Sequence, residues 1–493
     1  MFVFFNSIKQ QNKSLFWLIV HLLLGASATI TAIPMILFFY IALGYSFINL
    51  FNIHAKERPR FIAEVIIYFA SFEALGRLAG SDPYIPYELG KYILLFLCPL
   101  GIVLNRNVSG KGMIGLIILI LSIPAVLFDE SGQVTFNDIK FNILGLLNLG
   151  VAIWFFSSLN ISLKTLINWS KLMVFPIVSV LIFTIIRTPN LDEVEFTLGA
   201  NFATAGGFGS NQVSTILGLG VFVFAVAILL NYRISGVKWI DAALLGLFTI
   251  QGLLTFSRGG MIGGFFGVFV VMFYLTKLSV KERLKLKIPN FKKYILPLGV
   301  LLVIVMVAAN AITGGMLLLR YMGETQGTLA GSAEKNLNKI TTNRSDIFLE
   351  DVDLFLDHTL LGVGVGASTY LRNEYKGYAP HVELSRLIAE HGILGLIIFS
   401  LFILLLFINK ARAPESISKG IILAMFLIGL LATFHSATRT YITPLLIGIS
   451  CVTIVSNKKG NSKKKPQRQK RQTMLASKNE IIAAASEESP SLY

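Results

Sequence analysis

Charge is scarce in this chain of 493 residues: Asp, Glu, Lys and Arg make up 14% of it, against 54% for the apolar types. A soluble protein of this length needs far more polar cover, so a mean hydropathy of +0.70 excludes that class and points to a polytopic membrane protein. Cysteine is nearly missing. Cys98 and Cys451 stand far apart inside apolar runs, which excludes a disulfide framework and a thiolate metal site and leaves both as small core residues. Acidic residues are few as well, and the resulting net charge of +16 would suit a nucleic-acid partner. The Lys and Arg residues instead fall in short clusters between apolar runs, the pattern that orients helices in a bilayer. No nucleic acid is expected.

A membrane-crossing helix needs about 20 apolar residues, and on this scale the runs amount to about 14 spans. They begin with 15–31 and 33–51, read as a hairpin, and end with 392–409, 419–434 and 440–456. With the N-terminus inside, alternate connections carry Lys56, Arg58 and Arg60, then Arg106 and Lys111, Lys164 and Lys171, Arg233 and Lys238, and the dense run at 277–293. The opposite connections hold Asp82, Glu88, Asp129, Glu130, Asp138, Asp192, Glu193 and Glu195. This asymmetry follows the positive-inside rule. The expected fold class is all-α: a polytopic transmembrane helical bundle over 1–456 with a large, helical outer loop at 314–391. Residues 457–493 are polar and basic without apolar periodicity and are expected to be a disordered tail on the inner side.

Against this background the outer cations stand out: Arg77, Arg187, Arg258, Arg320, Arg344, Arg372, Arg386 and Arg439, with His381 and His435. Ionisable groups beside lipid are costly and call for a partner or a task. Arg258 lies in TFSRGGMIGGFFG, at a turn between two spans too tight for a loop. A snorkelling arginine and a ligand contact both fit that position, and the glycines fit helix packing or the close approach of a ligand. Arg344 opens NRSDIFLEDVDLFLDHT, where Asp346, Glu350, Asp353 and Asp357 share one helical face and Phe348, Val352 and Phe355 another. The acidic face reads as solvated, because its spacing is not that of a calcium loop. The GVGVG at 362–366 lacks the Lys-Ser/Thr ending of a phosphate loop and reads as a turn. His381 begins the next helix, where the positive end of the dipole favours a neutral imidazole able to act as a general base. Glu383, Arg386 and Glu390 follow at spacings of three and four, which suits a structural helix-surface network or a site.

Taken together, SRGG at 257–260, the Arg344 helix leading into LLGVGVGAS at 360–368, and the AEHGILGL entry into the following span resemble a known family. A weaker match is GFGSNQVSTILGLG at 207–220. The pattern, over about residues 200–455, is similar to the O-antigen ligases and O-antigen polymerases, bacterial glycosyltransferases of the cytoplasmic membrane. That resemblance implies a GT-C-like fold and transfer of a glycan from an undecaprenyl diphosphate carrier to a sugar hydroxyl of a glycan or glycolipid acceptor, on the periplasmic side, with no cofactor and no metal. Carried over by motif, Arg258 and Arg344 grip the diphosphate and His381 activates the acceptor. Glu383, Arg386, Arg439 and His435 have supporting places. Many family members have Asn directly after the histidine, where Val382 stands here, so Glu383 or Arg386 is the expected substitute in orienting the base. The alternative of another class is a flippase or exporter of lipid-linked oligosaccharides.

Overall fold

In lipid every backbone N–H and C=O has to be satisfied within the protein, and a helix achieves this segment by segment. The computed structural model describes residues 10–455 except 106, 108, 287, 289–291, 330, 332, 333, 335, 336, 342, 379–381, 414, 415, 437 and 439. His381, Arg439 and the tail at 457–493 therefore lie outside the described residues. The protein is mostly helical and has almost no strand. Among the described residues, 7 helices are long and apolar enough to cross a membrane: Ile33–Asn52, Phe136–Ser157, Leu163–Arg187, Ser210–Leu229, Arg258–Thr276, Lys292–Ile312 and Glu383–Ala411. Shorter apolar helices cover Lys13–Ala28, Leu89–Leu104, Gly110–Val126 and Ser416–Ala432. This is a multi-pass membrane protein.

Two of the expected spans are not single helices. The run at 61–79 is divided into Arg58–Ala70 and Glu73–Leu78, and the second piece buries an ion pair, Arg77 Nη2 to Glu73 Oε1 at 2.8 Å. The run at 440–456 holds the helix Ile442–Ser450, whose 9 residues rise about 14 Å at 1.5 Å each, less than half of a hydrocarbon core about 30 Å thick. It continues into a two-residue strand, Thr453–Ile454, paired in parallel with Asn160–Ile161. Broken backbone at such depth is tolerated where protein covers it, and residues 441–452 are buried throughout. Cys98 and Cys451 are both free and buried.

Antiparallel helices bring alternate connections together, and the polar contacts sort into two ends. At one end Asn105 Nδ2 donates to Ser158 Oγ at 2.7 Å, Lys111 Nζ to Asn409 Oδ1 at 3.4 Å, and Tyr232 to Asn168 at 2.8 Å, beside the small strand pair. At the other, Arg77 Nη1 donates to Gln212 Oε1 at 2.9 Å, the Glu130 amide to the Val363 carbonyl at 3.1 Å, and the Glu383 amide to the Thr433 carbonyl at 2.9 Å.

The helix Arg258–Thr276 crosses Ser210–Leu229 backbone to backbone. A Cβ on Gly260 would stand 2.2 Å from the Thr215 nitrogen, and one on Gly264 would stand 2.2 Å from the Gly218 carbonyl oxygen. This is the close approach that small residues permit between membrane helices, and it accounts for two glycines of GGMIGG.

Candidate functional site

Arg258 is the first residue of its helix and is half-buried, and its side chain is aimed away from the membrane span into the outer loop. Nη1 donates to the carbonyl oxygen of Arg320 at 2.9 Å and Nη2 to that of Ile340 at 2.6 Å. Those contacts fasten the loop that follows Lys292–Ile312 onto the turn at Ser257. Arg320, in the short helix Met316–Tyr321, is itself only 6% exposed, and its Nε is buried without a hydrogen-bond partner among the described residues. Burial, with the guanidinium groups of Arg258 and Arg344 adding their repulsion, pushes Arg320 down to about 10. Three guanidinium groups therefore share one region at the N-terminal end of the helix Arg258–Thr276. Tyr321 lines it as a neutral phenol, because burial pushes its ionisation up.

The turn ahead of Arg258 is held by hydroxyl and amide groups. Ser257 Oγ donates to Asn211 Oδ1 at 2.7 Å, and Ser214 Oγ donates to the Ser257 carbonyl at 2.6 Å. His435 packs against the same turn: a Cβ on Gly259 would meet its ring at 2.4 Å. Its Nδ1 lies 3.0 Å from the Leu431 carbonyl oxygen and its Nε2 lies 2.8 Å from Thr215 Oγ1. A carbonyl oxygen only accepts, so Nδ1 carries the proton and Nε2 faces Thr215 Oγ1, whose single proton is shared between Nε2 and the Asn211 carbonyl at 2.7 Å. Burial, with Arg344 contributing, pushes His435 down to about 4. The ring is neutral at ordinary pH and its one lone pair faces the Thr215 hydroxyl, which makes it a brace between helix ends.

The outer loop carries a second network, in which each of the cations Arg372 and Arg386 faces a carboxylate. The helix Arg344–Asp357 buries Ile347 and Asp351, one turn and two turns on from Arg344, so Arg344 sits on the inward face. Asp351 binds Arg372 through Nε and Nη2, both at 2.8 Å, and accepts from Ser385 Oγ at 2.6 Å. The acids of the expected solvated stripe are partly engaged too: Glu350 accepts from the Glu374 amide at 2.9 Å, and Asp346 from Asn338 and from the Tyr375 hydroxyl. Arg386 pairs with Glu383 and, at 3.2 Å, with Glu390. Both carboxylate oxygens of Glu383 also accept from Thr438, at 3.1 Å each. Glu390 takes the Ser368 hydroxyl at 3.0 Å.

The GVGVG turn lies on a break in the helix Glu383–Arg412, which is two helices meeting at Gly392 with φ 59° and ψ −138°. Val363 and Gly364 amides donate to the Ala389 and Glu390 carbonyls at 2.9 and 3.1 Å, and the Ile393 amide donates to Thr359 at 2.8 Å. The turn thus supplies partners for backbone groups that the kink frees. A Cβ at Gly392 would stand 2.6 Å from the Gly362 nitrogen.

Residues 242–400, from the helix before Arg258 through the outer loop to the kinked helix, match the family model described as O-Antigen ligase. This segment is similar to the O-antigen ligase family. No curated protein matches the chain.

Of the residues expected from sequence, the matched segment brings Arg258 and Arg344 to one region, and His435 lies beside them. Glu383 and Arg386 are placed in the buried ion network. His381 and Arg439 lie outside the described residues, flanked in sequence by Val382 and by Thr438, the latter bound to Glu383. Two residues with a place in the geometry carried no assignment from sequence. Arg320 was visible only as one of several outer cations, with no motif around it. Asp351 was passed over because its neighbours form the acidic stripe, although its i+4 spacing from Ile347 places it on the buried face.

Proposed function

We propose that this protein is a membrane glycosyltransferase of the O-antigen ligase and polymerase type, which transfers a glycan from an undecaprenyl diphosphate carrier to a hydroxyl of an acceptor glycan or glycolipid. One observation carries the reading: in the family-matched segment Arg258 is tied to the Arg320 carbonyl at 2.9 Å and to the Ile340 carbonyl at 2.6 Å, which sets it in the same region as Arg320 and the start of the Arg344 helix. Guanidinium forks suit phosphate oxygens and stay charged at any working pH. Two of them neutralise charge that develops on a departing diphosphate, the kind of electrostatic stabilisation that lowers a barrier most. His381 takes the acceptor proton as the hydroxyl oxygen attacks the anomeric carbon, and the bond from that carbon to the diphosphate oxygen breaks with its electron pair leaving on the diphosphate. A base opposite the leaving group gives inversion.

The carrier's tail has a matching place. An apolar groove of about 380 Å³ lies between Ser210–Leu229, Lys238–Leu254, Arg258–Thr276 and Lys292–Ile312, lined by Phe265, Phe269, Met272, Leu298 and Val305 among others. Phe265 and Met272 stand seven and fourteen residues beyond Arg258, about 10 and 21 Å down the helix. A prenyl chain whose diphosphate is held at Arg258 runs into this groove from the side.

In this reading the chain crosses the cytoplasmic membrane fourteen times with its N-terminus inside, some crossings made by broken or short helices covered by protein. The end that gathers Arg77, Gln212, Glu130 and Glu383 faces the periplasm, and the end that gathers Asn105, Lys111 and Asn168 faces the cytoplasm. Residues 1–456 form the transferase domain, 314–391 its periplasmic loop, and 457–493 a basic cytoplasmic tail.

The test is purified protein in lipid nanodiscs or vesicles, given an undecaprenyl diphosphate glycan and candidate acceptors. Transfer with release of free undecaprenyl diphosphate is expected, and His381→Ala is expected to abolish it, by about 10²-fold or more for a lost general base, while carrier binding persists. Movement of the intact carrier across a vesicle without cleavage marks a flippase and ends the proposal.

A further inference from the structure

A buried cluster of like charges is unfavourable unless an opposite charge enters it. Asp351 and Arg372, Arg386 and Glu390, and Arg77 and Glu73 are all paired within this fold, yet the strongest charges acting on Arg320 are two other cations. Its Nε is buried and lacks a partner among the described residues, and the side chain is 6% exposed, deeper than the half-buried Arg258 and Arg344. Arg320 is also fixed in place from behind, because its own carbonyl receives Arg258 Nη1 at 2.9 Å. The region therefore holds three cations arranged in depth, and the innermost has a buried N–H, at Nε, with no partner among the described residues.

The substrate chemistry supplies a reason for a third charge. A glycan joined to a polyprenyl diphosphate is a diphosphate diester and carries two negative charges. Transfer breaks the bond between the anomeric carbon and the terminal phosphate oxygen, and that oxygen keeps the electron pair. The terminal phosphate becomes a monoester whose second pKa is about 6, so a third negative charge appears near neutral pH. The acceptor proton leaves on the general base, which balances the step.

Resting on the function proposed above, we infer that Arg320 is the group that meets this third charge: Arg258 and Arg344 hold the diphosphate of the bound donor, and Arg320 binds the terminal phosphate as it becomes the leaving group. Such an interaction is made in the transition state and product and only weakly in the bound donor, so it acts on kcat before KM. It also makes the spent carrier the tighter ligand.

The experiment measures steady-state transfer from a polyprenyl diphosphate glycan, and inhibition by free polyprenyl diphosphate, for the full-length protein and for Arg320→Gln and Arg320→Lys in nanodiscs, with thermal unfolding recorded for each. Arg320→Gln is expected to lower kcat by about 10²–10³, the usual effect of losing one preorganised donor to a developing anion. Donor KM should change far less, and inhibition by the free diphosphate should weaken by roughly tenfold or more, as for one lost charge-assisted bond. Arg320→Lys keeps the charge and should fold and recover most of kcat. The inference is overturned if Arg320→Gln raises donor KM with kcat intact, if product inhibition is unchanged, or if both variants lose activity only in proportion to lost folded protein. A wild-type protein that cleaves no polyprenyl diphosphate donor overturns the proposed function instead.

Discussion

At the scale of single residues, the imidazole at position 435 shows how little a residue type says about its task. A histidine at the outer boundary beside arginines invites a catalytic role, and His435 is indeed next to Arg258 through Gly259. Its proton is nevertheless committed to Leu431, and its lone pair faces the Thr215 hydroxyl inside a buried pocket. Its ionisation in the fold, at about 4, is below the ordinary 6.5, so the folded protein resists a proton that the unfolded chain accepts. The sign follows: the stability from a neutral, buried His435 is fully present above pH 6.5 and is lost as pH falls toward 4, by up to ~3 kcal/mol. Thermal unfolding of wild type and His435→Gln at pH 7.5 and pH 4.5 checks this. The variant should be the less pH-dependent of the two, and equal slopes would contradict the account. Arg258 was legible because a cation at a tight turn between apolar runs has no soluble surface to occupy. Arg320 was not, since its significance lies in what surrounds it in space.

At the scale of elements, hydropathy located the apolar helices well and their interruptions badly. The spacing of Glu383, Arg386 and Glu390 was enough to expect a charged network, and the network exists as a buried one. Sums of hydropathy contain nothing about φ and ψ, however, so the breaks at Ser71–Phe72 and at Gly392 and the short Ile442–Ser450 helix were invisible in the runs that contain them. The acidic stripe misled in a similar way, because counting acids drew attention from Asp351, the one that is buried. Gly392 offers a direct test of the kink. With φ 59° and backbone atoms of Gly362 and Thr359 at 2.6 Å from an added Cβ, Gly392→Ala should cost at least ~2 kcal/mol through strain and collision. Gly263→Ala has nothing within 4 Å of its Cβ and should be near neutral or slightly stabilising. A comparison of unfolding temperatures reads both. Equal effects would mean that the turn at 362–366 does not support the break.

At the scale of the whole molecule, two features of one surface coincide. The helix ends collect the polar and ionic contacts, and an apolar groove lies between helices beyond Arg258. An amphipathic donor with a charged head and a long prenyl tail matches that division, which neither an apolar pore nor a soluble-facing site would. Contacts such as Asn105 to Ser158 and Arg77 to Gln212 join connections that carry the same charge class in the sequence. The most direct measurement is equilibrium binding of undecaprenyl diphosphate to the purified protein in nanodiscs, compared with Arg258→Ala and Arg344→Ala. Each charge-assisted contact is worth about 1.5–3 kcal/mol, so each variant should bind about 10- to 100-fold more weakly, and wild-type binding should fall with salt. Unchanged affinity in both variants, or binding indifferent to the diphosphate, would contradict the placement of the donor at these arginines.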